Sequence, residues 1–477
     1  MKILFTASEC YPFAVSGGLG DVIGALPKAL AKIEGENNDV RVVLPLYKKT
    51  AENFKSEMTY KFDFMLPLAW RSIYCGVFEL KKDGVTYYFI DNEHYFKRDG
   101  LYGFYDDGER FSFFSKACLE ILERLGFYPD IIHSHDWHTA LVPILFKRYY
   151  KWKNEFSATK AIFTIHNIQY QGQYDEAILG DVFGLGEGDR DTVTFNGCIN
   201  LMKGAIVAAD KVNTVSPNYA RELTYPYYAH GLSAIIREHQ YKFCGILNGI
   251  DNDRINPETN PHLYANFNYR SPAKMAFNKK KLQEEMNLPQ DDTVPVVAII
   301  SRLVSHKGID LVRGIFSQLM DMPLQLVVLG TGDREYEDFF RYAASRYKGK
   351  LEVRITFDGA LADRIYGGAD MILMPSKSEP CGLVQMIALR YGTIPIVRET
   401  GGLKDSITDV QYGGNGFSFP DYNAHELLYT VGRAVDMFRN DKDGWKALKK
   451  KAMKCDFGWD KAAGNYFDFY KDALGIK

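Results

Sequence analysis

The sequence predicts an α/β protein of two doubly wound domains, each a mostly parallel sheet covered by helices on both faces. Three observations carry that expectation. At 477 residues the chain exceeds what one hydrophobic core organises, and two domains of roughly 200–250 residues follow. Strand-type apolar runs alternate with stretches of helical spacing through most of the chain, which is the pattern of βαβ units. A region holding Asn248, Gly249, Pro257, Pro261 and Pro272 interrupts that rhythm and suits a junction better than a core.

In chain order, the first half supplies strands near 2–8, 39–44, 130–134, 160–165 and 211–215. The stretch from Phe62 to Ile90 is rich in Tyr, Phe and Val and contains the turn Lys82-Asp83-Gly84, so an antiparallel insertion is expected there. The second half restarts with Val294–Ser301, followed by Gln325–Leu329, Leu351–Ile355, Asp370–Met374 and Thr393–Val397. Near the end, Tyr466, Phe467, Tyr470 and Leu474 share one helical face that must pack on something. The predicted domains cover residues 1–243 and 244–457, with a closing helix at about 458–477 packing back on the first.

Bulk properties remove several function classes. A net charge of −2 gives no electrostatic reason to expect nucleic acid or an anionic membrane as partner. The strand-type run begins at Lys2 without a basic and apolar leader, and no apolar stretch is long enough to span a bilayer, so a cytoplasmic location is expected. The seven cysteines are odd in number and include no C-x-x-C pair, which argues for reduced thiols over disulfides or a zinc knuckle.

Ligands of open parallel sheets sit off the carboxyl ends of the strands, so residues just past each strand are the ones to read. After the first strand comes SGGLGD, from Ser16 to Asp21, opening a helix with Val22, Leu26, Leu30 and Ile33 in register. Strand, glycine loop and helix start together suit an anion. A dinucleotide fingerprint fails, however: Gly18 and Gly20 are in place, but the third position is Ile23 with Gly24 one residue late. The second strand runs into Pro45, Leu46 and Tyr47, with no acid for a ribose.

Four other constellations stand at strand ends. Arg302 and Lys307 follow one strand, with Lys307-Gly308 just before a helix. A guanidinium fork and an ammonium suit a leaving diphosphate, although solvated loop cations fit the spacing equally well. Glu379 precedes Cys381-Gly382-Leu383, which open a helix to about Tyr391. Its carboxylate could grip sugar hydroxyls or cap the helix. His133, His135, Asp136 and His138 have the look of a metal cluster, but no second ligand group accompanies them, so hydrogen-bonding roles are preferred. His166-Asn167 ends another strand.

The segments SECYPFAVSGGLGDVIGALPKAL, IIHSHDWHTALVP, AIFTIHNIQYQGQY, VNTVSPNYARE, GILNGID, IISRLVSHKGIDLV, GGADMILMPSKSEPCGLVQ and YGTIPIVRETGGLKDS closely resemble the glycogen and starch synthase family of retaining glucosyltransferases. The resemblance runs over nearly the whole chain. It implies two facing Rossmann-like domains in the GT-B architecture, with the donor in a cleft between them, and transfer of glucose from ADP-glucose to the non-reducing end of an α-1,4-glucan such as glycogen. Configuration is kept, and no metal or other cofactor is implied.

By the same resemblance His166 holds the donor sugar, and Arg302 and Lys307 clamp the diphosphate. Glu379, Cys381, Gly382 and Leu383 surround the glucose. Phe357 lies against adenine. Gly17, Gly18 and Asp21 occupy a first-domain loop over the diphosphate, Asp136 is the acid of HDWH, and Asn248 faces the sugar. Three positions depart from the family pattern. Val15, followed by Ser16, stands where a lysine is usual, Val384 replaces a common threonine near the phosphates, and Ile387 stands where the wider superfamily often has a second Glu. Two rival readings are a glucan phosphorylase-like enzyme, which would need lysine-bound pyridoxal phosphate, and a glucan-binding protein with an impaired donor site.

Overall fold

The computed structural model describes residues 1–33 and 35–476. The chain divides into two units, Met1–Gly249 together with the residues from Trp459 onward, and Ile250–Gly458. The expected split at 243/244 falls at the first residue of a short strand, Phe243–Gly245, that pairs in parallel with Lys211–Thr214. Those backbone bonds keep the segment with the first sheet, so the division comes after Gly249.

The first unit is built on a nine-stranded sheet. Its parallel part runs, in spatial order, Val85–Asp91, Asp39–Pro45, Lys2–Thr6, Ile131–His135, Lys160–Ile165, Lys211–Thr214 and Phe243–Gly245. The expected antiparallel insertion is an extension of this sheet: Val85–Asp91 lies parallel to Asp39–Pro45, from Arg41 opposite Thr86 to Pro45 opposite Ile90. Arg71–Lys82 and Thr59–Leu68 then add antiparallel edge strands. The hairpin turns at Asp83-Gly84, both with positive φ, a two-residue turn whose twist matches the strands. A three-stranded antiparallel sheet of Gln173–Tyr174, Cys198–Asn200 and Thr194–Phe195 was not anticipated, although its Asn196-Gly197 turn is a known hairpin signal.

The helix Trp459–Leu474 packs on the first unit. Trp459, Ala462, Ala463, Tyr466, Phe467 and Tyr470 join a core formed by the first two strands and the helix Gly18–Ala31. Burying the four aromatic rings of that face contributes roughly 6–12 kcal/mol before entropy is counted.

The second unit holds six strands, all parallel, in spatial order Leu351–Arg354, Gln325–Leu329, Val296–Ile300, Met371–Met374, Ile394–Arg398 and Phe417–Phe419. In both units the chain order of the parallel strands reverses direction once. The reversal lies between Lys2–Thr6 and Ile131–His135 in the first sheet, and between Val296–Ile300 and Met371–Met374 in the second. Such a switch point opens a crevice at the carboxyl ends of its two strands, because their following helices go to opposite faces. Among the described residues no helix is long and apolar enough to cross a membrane, and all seven cysteines are free.

Candidate active site

Each switch point gathers residues singled out from the sequence. In the first unit, the backbone past Lys2–Thr6 carries Ser8 and Glu9, both buried. The Glu9 carboxylate accepts hydrogen bonds from the backbone N–H groups of Ser16 at 2.6 Å and Gly17 at 2.9 Å. Its other oxygen accepts from the Tyr102 hydroxyl at 2.8 Å, which lies 2.8 Å from the Ser8 hydroxyl. Burial raises the pKa of Glu9, and the two backbone N–H groups oppose that shift. The start of SGGLGD is therefore organised around an internal carboxyl group, and a phosphate at this loop would meet the helix start at Gly18.

A Cβ on Gly17 or Gly18 would meet no atom within 4 Å, whereas one on Gly24 would lie 2.8 Å from the Tyr11 carbonyl oxygen. This explains the irregular glycine spacing: Gly24 lets the helix approach the preceding loop, and Gly17 and Gly18 leave open surface. Val15 is 47% exposed beside them, and Asp21 is half-buried in the first helical turn.

Past Ile131–His135 the chain turns sharply at Asp136, whose φ is +57°. That turn aims the carboxylate at the neighbouring strand end, where it accepts from the backbone N–H of His166 at 2.7 Å and of Asn167 at 3.4 Å. Burial pushes the Asp136 carboxyl up to about 7 against those bonds. His166 is buried with its Nε2 2.9 Å from Nδ1 of His135, and burial lowers its pKa to about 3. His138 is held at about 3 for the same reason, stacked on Tyr102 with ring centroids 4.3 Å apart. His133 is structural: its nitrogens bond Tyr470 at 2.7 Å and Thr164 at 2.6 Å. Asn248 is buried, and its Oδ1 has no partner among the described residues. Among the described residues no three His, Cys, Asp or Glu side chains gather as a metal site requires.

In the second unit, Lys307 and Glu379 meet: Nζ donates to Oε2 at 2.6 Å, and the Ser376 hydroxyl donates to the same oxygen at 3.0 Å. The geometry rests on Gly308, whose φ of +77° ends the turn and whose missing Cβ would fall 2.0 Å from the Pro375 carbonyl oxygen. Side-chain-free backbone at that point lets the Lys307 turn lie directly on the strand end that leads to Glu379.

Arg302 is exposed, 3.5 Å from His306. His306 is lowered in pKa by burial and then by Lys307 and Arg302. The segment 379–383 is pinned from behind: Gly402 N–H donates to the Glu379 carbonyl at 3.1 Å, and the Gln385 amide donates to the carbonyls of Cys381 at 3.1 Å and Gly382 at 2.8 Å. Cys381 is buried, while Leu383 and Val384 are half-buried at the start of the helix Val384–Tyr391. Phe357 is 97% exposed and makes no ring contact among the described residues.

The first unit thus brings His166 and Asp136 together, and the second Lys307 and Glu379. Tyr102, His306 and Gln385 were not foreseen as parts of these sites. The signal for Tyr102 was faint, a tyrosine between Gly100 and Gly103, both with positive φ, in a loop without a motif.

Comparison with known proteins fits this architecture. The starch synthase catalytic domain family matches residues 2–238, and the glycosyl transferases group 1 family matches residues 280–443. Glycogen synthase of Geobacillus thermodenitrificans is 48% identical over 99% of this chain and 98% of its own length. That of Desulforamulus reducens is 48% identical over 99% of each chain. Among solved structures, the catalytic domain of starch synthase IV from Arabidopsis thaliana, bound to ADP and acarbose, superposes with a TM-score of 0.90 at 33% identity over 99% of both chains. Sucrose-phosphate synthase of Thermosynechococcus elongatus, at 16% identity and a TM-score of 0.59 over 99% of both chains, shares the fold. The chain belongs to the glycogen synthase family and is a glucosyltransferase of the GT-B fold.

Proposed function

We propose that the protein extends an α-1,4-glucan at its non-reducing end with glucose from ADP-glucose, retaining the anomeric configuration, in the cytoplasm. The observation that carries this reading is the Lys307–Glu379 pair at the second switch point, with Arg302 after the same strand and 3.5 Å from His306, an arrangement able to neutralise a diphosphate and hold a hydroxylated sugar from one strand end. The ADP bound to the Arabidopsis starch synthase supports the choice of nucleotide.

In this reading Arg302 and Lys307 take the charge that grows on the diphosphate, while Glu379, Cys381, Gly382 and Leu383 hold the glucose. Phe357, as an exposed ring, stacks on adenine. The first unit contributes His166 and Asn248 toward the sugar, and the loop of Val15, Ser16, Gly17, Gly18 and Asp21 toward the diphosphate. Asp136 fixes the His166 backbone. The acceptor 4-hydroxyl oxygen forms the bond to the anomeric carbon on the face the diphosphate leaves. The carbon–oxygen bond to phosphate breaks with its electron pair going to ADP, and the hydroxyl proton passes to the leaving phosphate oxygen. No carboxylate nucleophile is required by this route, unlike retaining hydrolases.

The test is incorporation of labelled glucose into glycogen from ADP-glucose and from UDP-glucose, with release of nucleotide diphosphate followed in parallel. Label from ADP-glucose with matching ADP release is expected. Glycogen binding without release from either donor would favour the impaired-site reading suggested by Val15 and Val384, and glucose 1-phosphate released from glycogen by phosphate would favour a phosphorylase.

A further inference from the structure

The rings of His133, His135 and His166 form a buried row in the first unit, and their hydrogen bonds fix where each proton sits. Thr164 donates its hydroxyl proton to Asn213 Oδ1 at 2.6 Å, while the Asn213 amide nitrogen faces the Tyr466 hydroxyl at 3.2 Å. With its proton spent, the Thr164 oxygen can only accept, so His133 carries its proton on Nε2. Nδ1 of His133 then accepts from the Tyr470 hydroxyl. His133 makes ring contact with His135, centroids 4.1 Å apart, without a hydrogen bond between them.

His135 therefore has one polar partner for its ring, Nε2 of His166 at 2.9 Å. Its own Nε2 is buried and has no partner among the described residues. If His166 donated in this bond, His135 would bear a buried N–H with no acceptor. If His135 donates from Nδ1, only a ring lone pair is left bare. Orphaned buried N–H groups are the rarer of the two in folded proteins. We propose that His135 is a positioning residue that holds His166 in its Nδ1–H tautomer, so that His166 presents a hydrogen-bond donor to the bound sugar. Burial lowers the pKa values of all three rings, so a charged ring does not compete with this arrangement.

The proposal rests on the assignment of His166 to the donor sugar, and its test separates the two. The full chain labelled with 15N-histidine, without donor or acceptor, should show His166 protonated at Nδ1, with signals assigned by His166→Gln and His135→Asn. In His135→Phe nothing donates to His166 Nε2, so the His166 ring should no longer be pinned to one tautomer and should give averaged nitrogen signals, and kcat/KM for the donor should fall about tenfold, the worth of roughly one hydrogen bond. His135→Asn can donate from the Nδ1 position and should restore kcat/KM to within about threefold.

An Nε2-protonated His166 in the unsubstituted chain overturns the proposal. So does a folded His135→Phe with unchanged kcat/KM, or an Asn variant no better than Phe when both fold. Should His135→Phe not fold, the tautomer of the unsubstituted chain decides. Correct tautomers in a chain without transferase activity would instead count against the function assigned to the site.

Discussion

The two units offer opposite kinds of chemistry at equivalent places in their sheets. At the first switch point the side chains are buried, and burial disfavours charge on them: it lowers the pKa of four histidines and raises those of Asp136 and Glu9. At the second they are full charges, Lys307 on Glu379 and an exposed Arg302. In the proposed reaction, charge on a leaving diphosphate is met by the second kind of group. Orientation of a sugar needs fixed donors and acceptors, which is what buried neutral rings supply. The same βα geometry serves both because the sheet dictates only where strand-end residues stand, not their chemistry.

The largest test of this contrast is acid. Below the ordinary histidine pKa of 6.5 the unfolded chain takes up a proton at His133, His135, His138 and His166 that the folded unit refuses. Stability is therefore lost as pH falls from 6.5 toward about 3. Asp136, raised from 3.8 to about 7, acts with the opposite sign and gains stability as pH falls across that window. The four histidines outnumber Asp136 and Glu9, whose raised pKa acts in the same sense as that of Asp136, so the first unit should lose stability between pH 7 and pH 5. Hydrogen exchange read separately over the two units checks this, and equal loss in both would break the comparison.

Next is Arg302→Ala, which should lower turnover about a hundredfold or more with an unchanged unfolding midpoint, since the side chain is exposed. Lys307→Ala should in addition cost about 3 kcal/mol of stability, because Glu379 at 7% exposure loses its cation. Near-normal turnover of Arg302→Ala would remove it from the mechanism. Smaller again is the pair Gly308→Ala and Gly18→Ala. The first should destabilise by at least about 1–3 kcal/mol from its backbone conformation alone. The second should leave stability unchanged and alter only the Michaelis constant for the donor, as measured by thermal melts and initial rates. The smallest expected effect is Val15→Lys, which should lower that constant about two- to fivefold through one exposed ion contact. An unchanged constant would place the loop away from the phosphates.

Much of this was legible from the amino-acid order. Strand-end positions were readable because runs such as Val296–Ile300 and Ala161–Ile165 stop abruptly at polar residues, Ser301 and His166, and in a parallel sheet those ends face ligands. Less visible was what holds the site residues. Nothing in SGGLGD announces that Glu9, several residues upstream, would occupy its N–H groups, because that bond depends on how tightly the helix folds back. Nor could sequence spacing bring Lys307 to Glu379, which are joined through the approach of Gly308 to Pro375. The stretch Phe62–Ile90 reads as an insertion because parallel pairing of Val85–Asp91 with Asp39–Pro45 leaves no local mark.

The return of the helix Trp459–Leu474 to the first sheet has a consequence during synthesis. The groove it fills stays open, and His133 lacks the Tyr470 hydroxyl that anchors it, until residues 459–474 have been made. At about 5–20 residues per second the ribosome needs roughly 10–40 s to produce the intervening unit. Throughout that interval the nascent amino-terminal sheet exposes a greasy face, so chains stalled just short of residue 459 should be the ones that chaperones capture most.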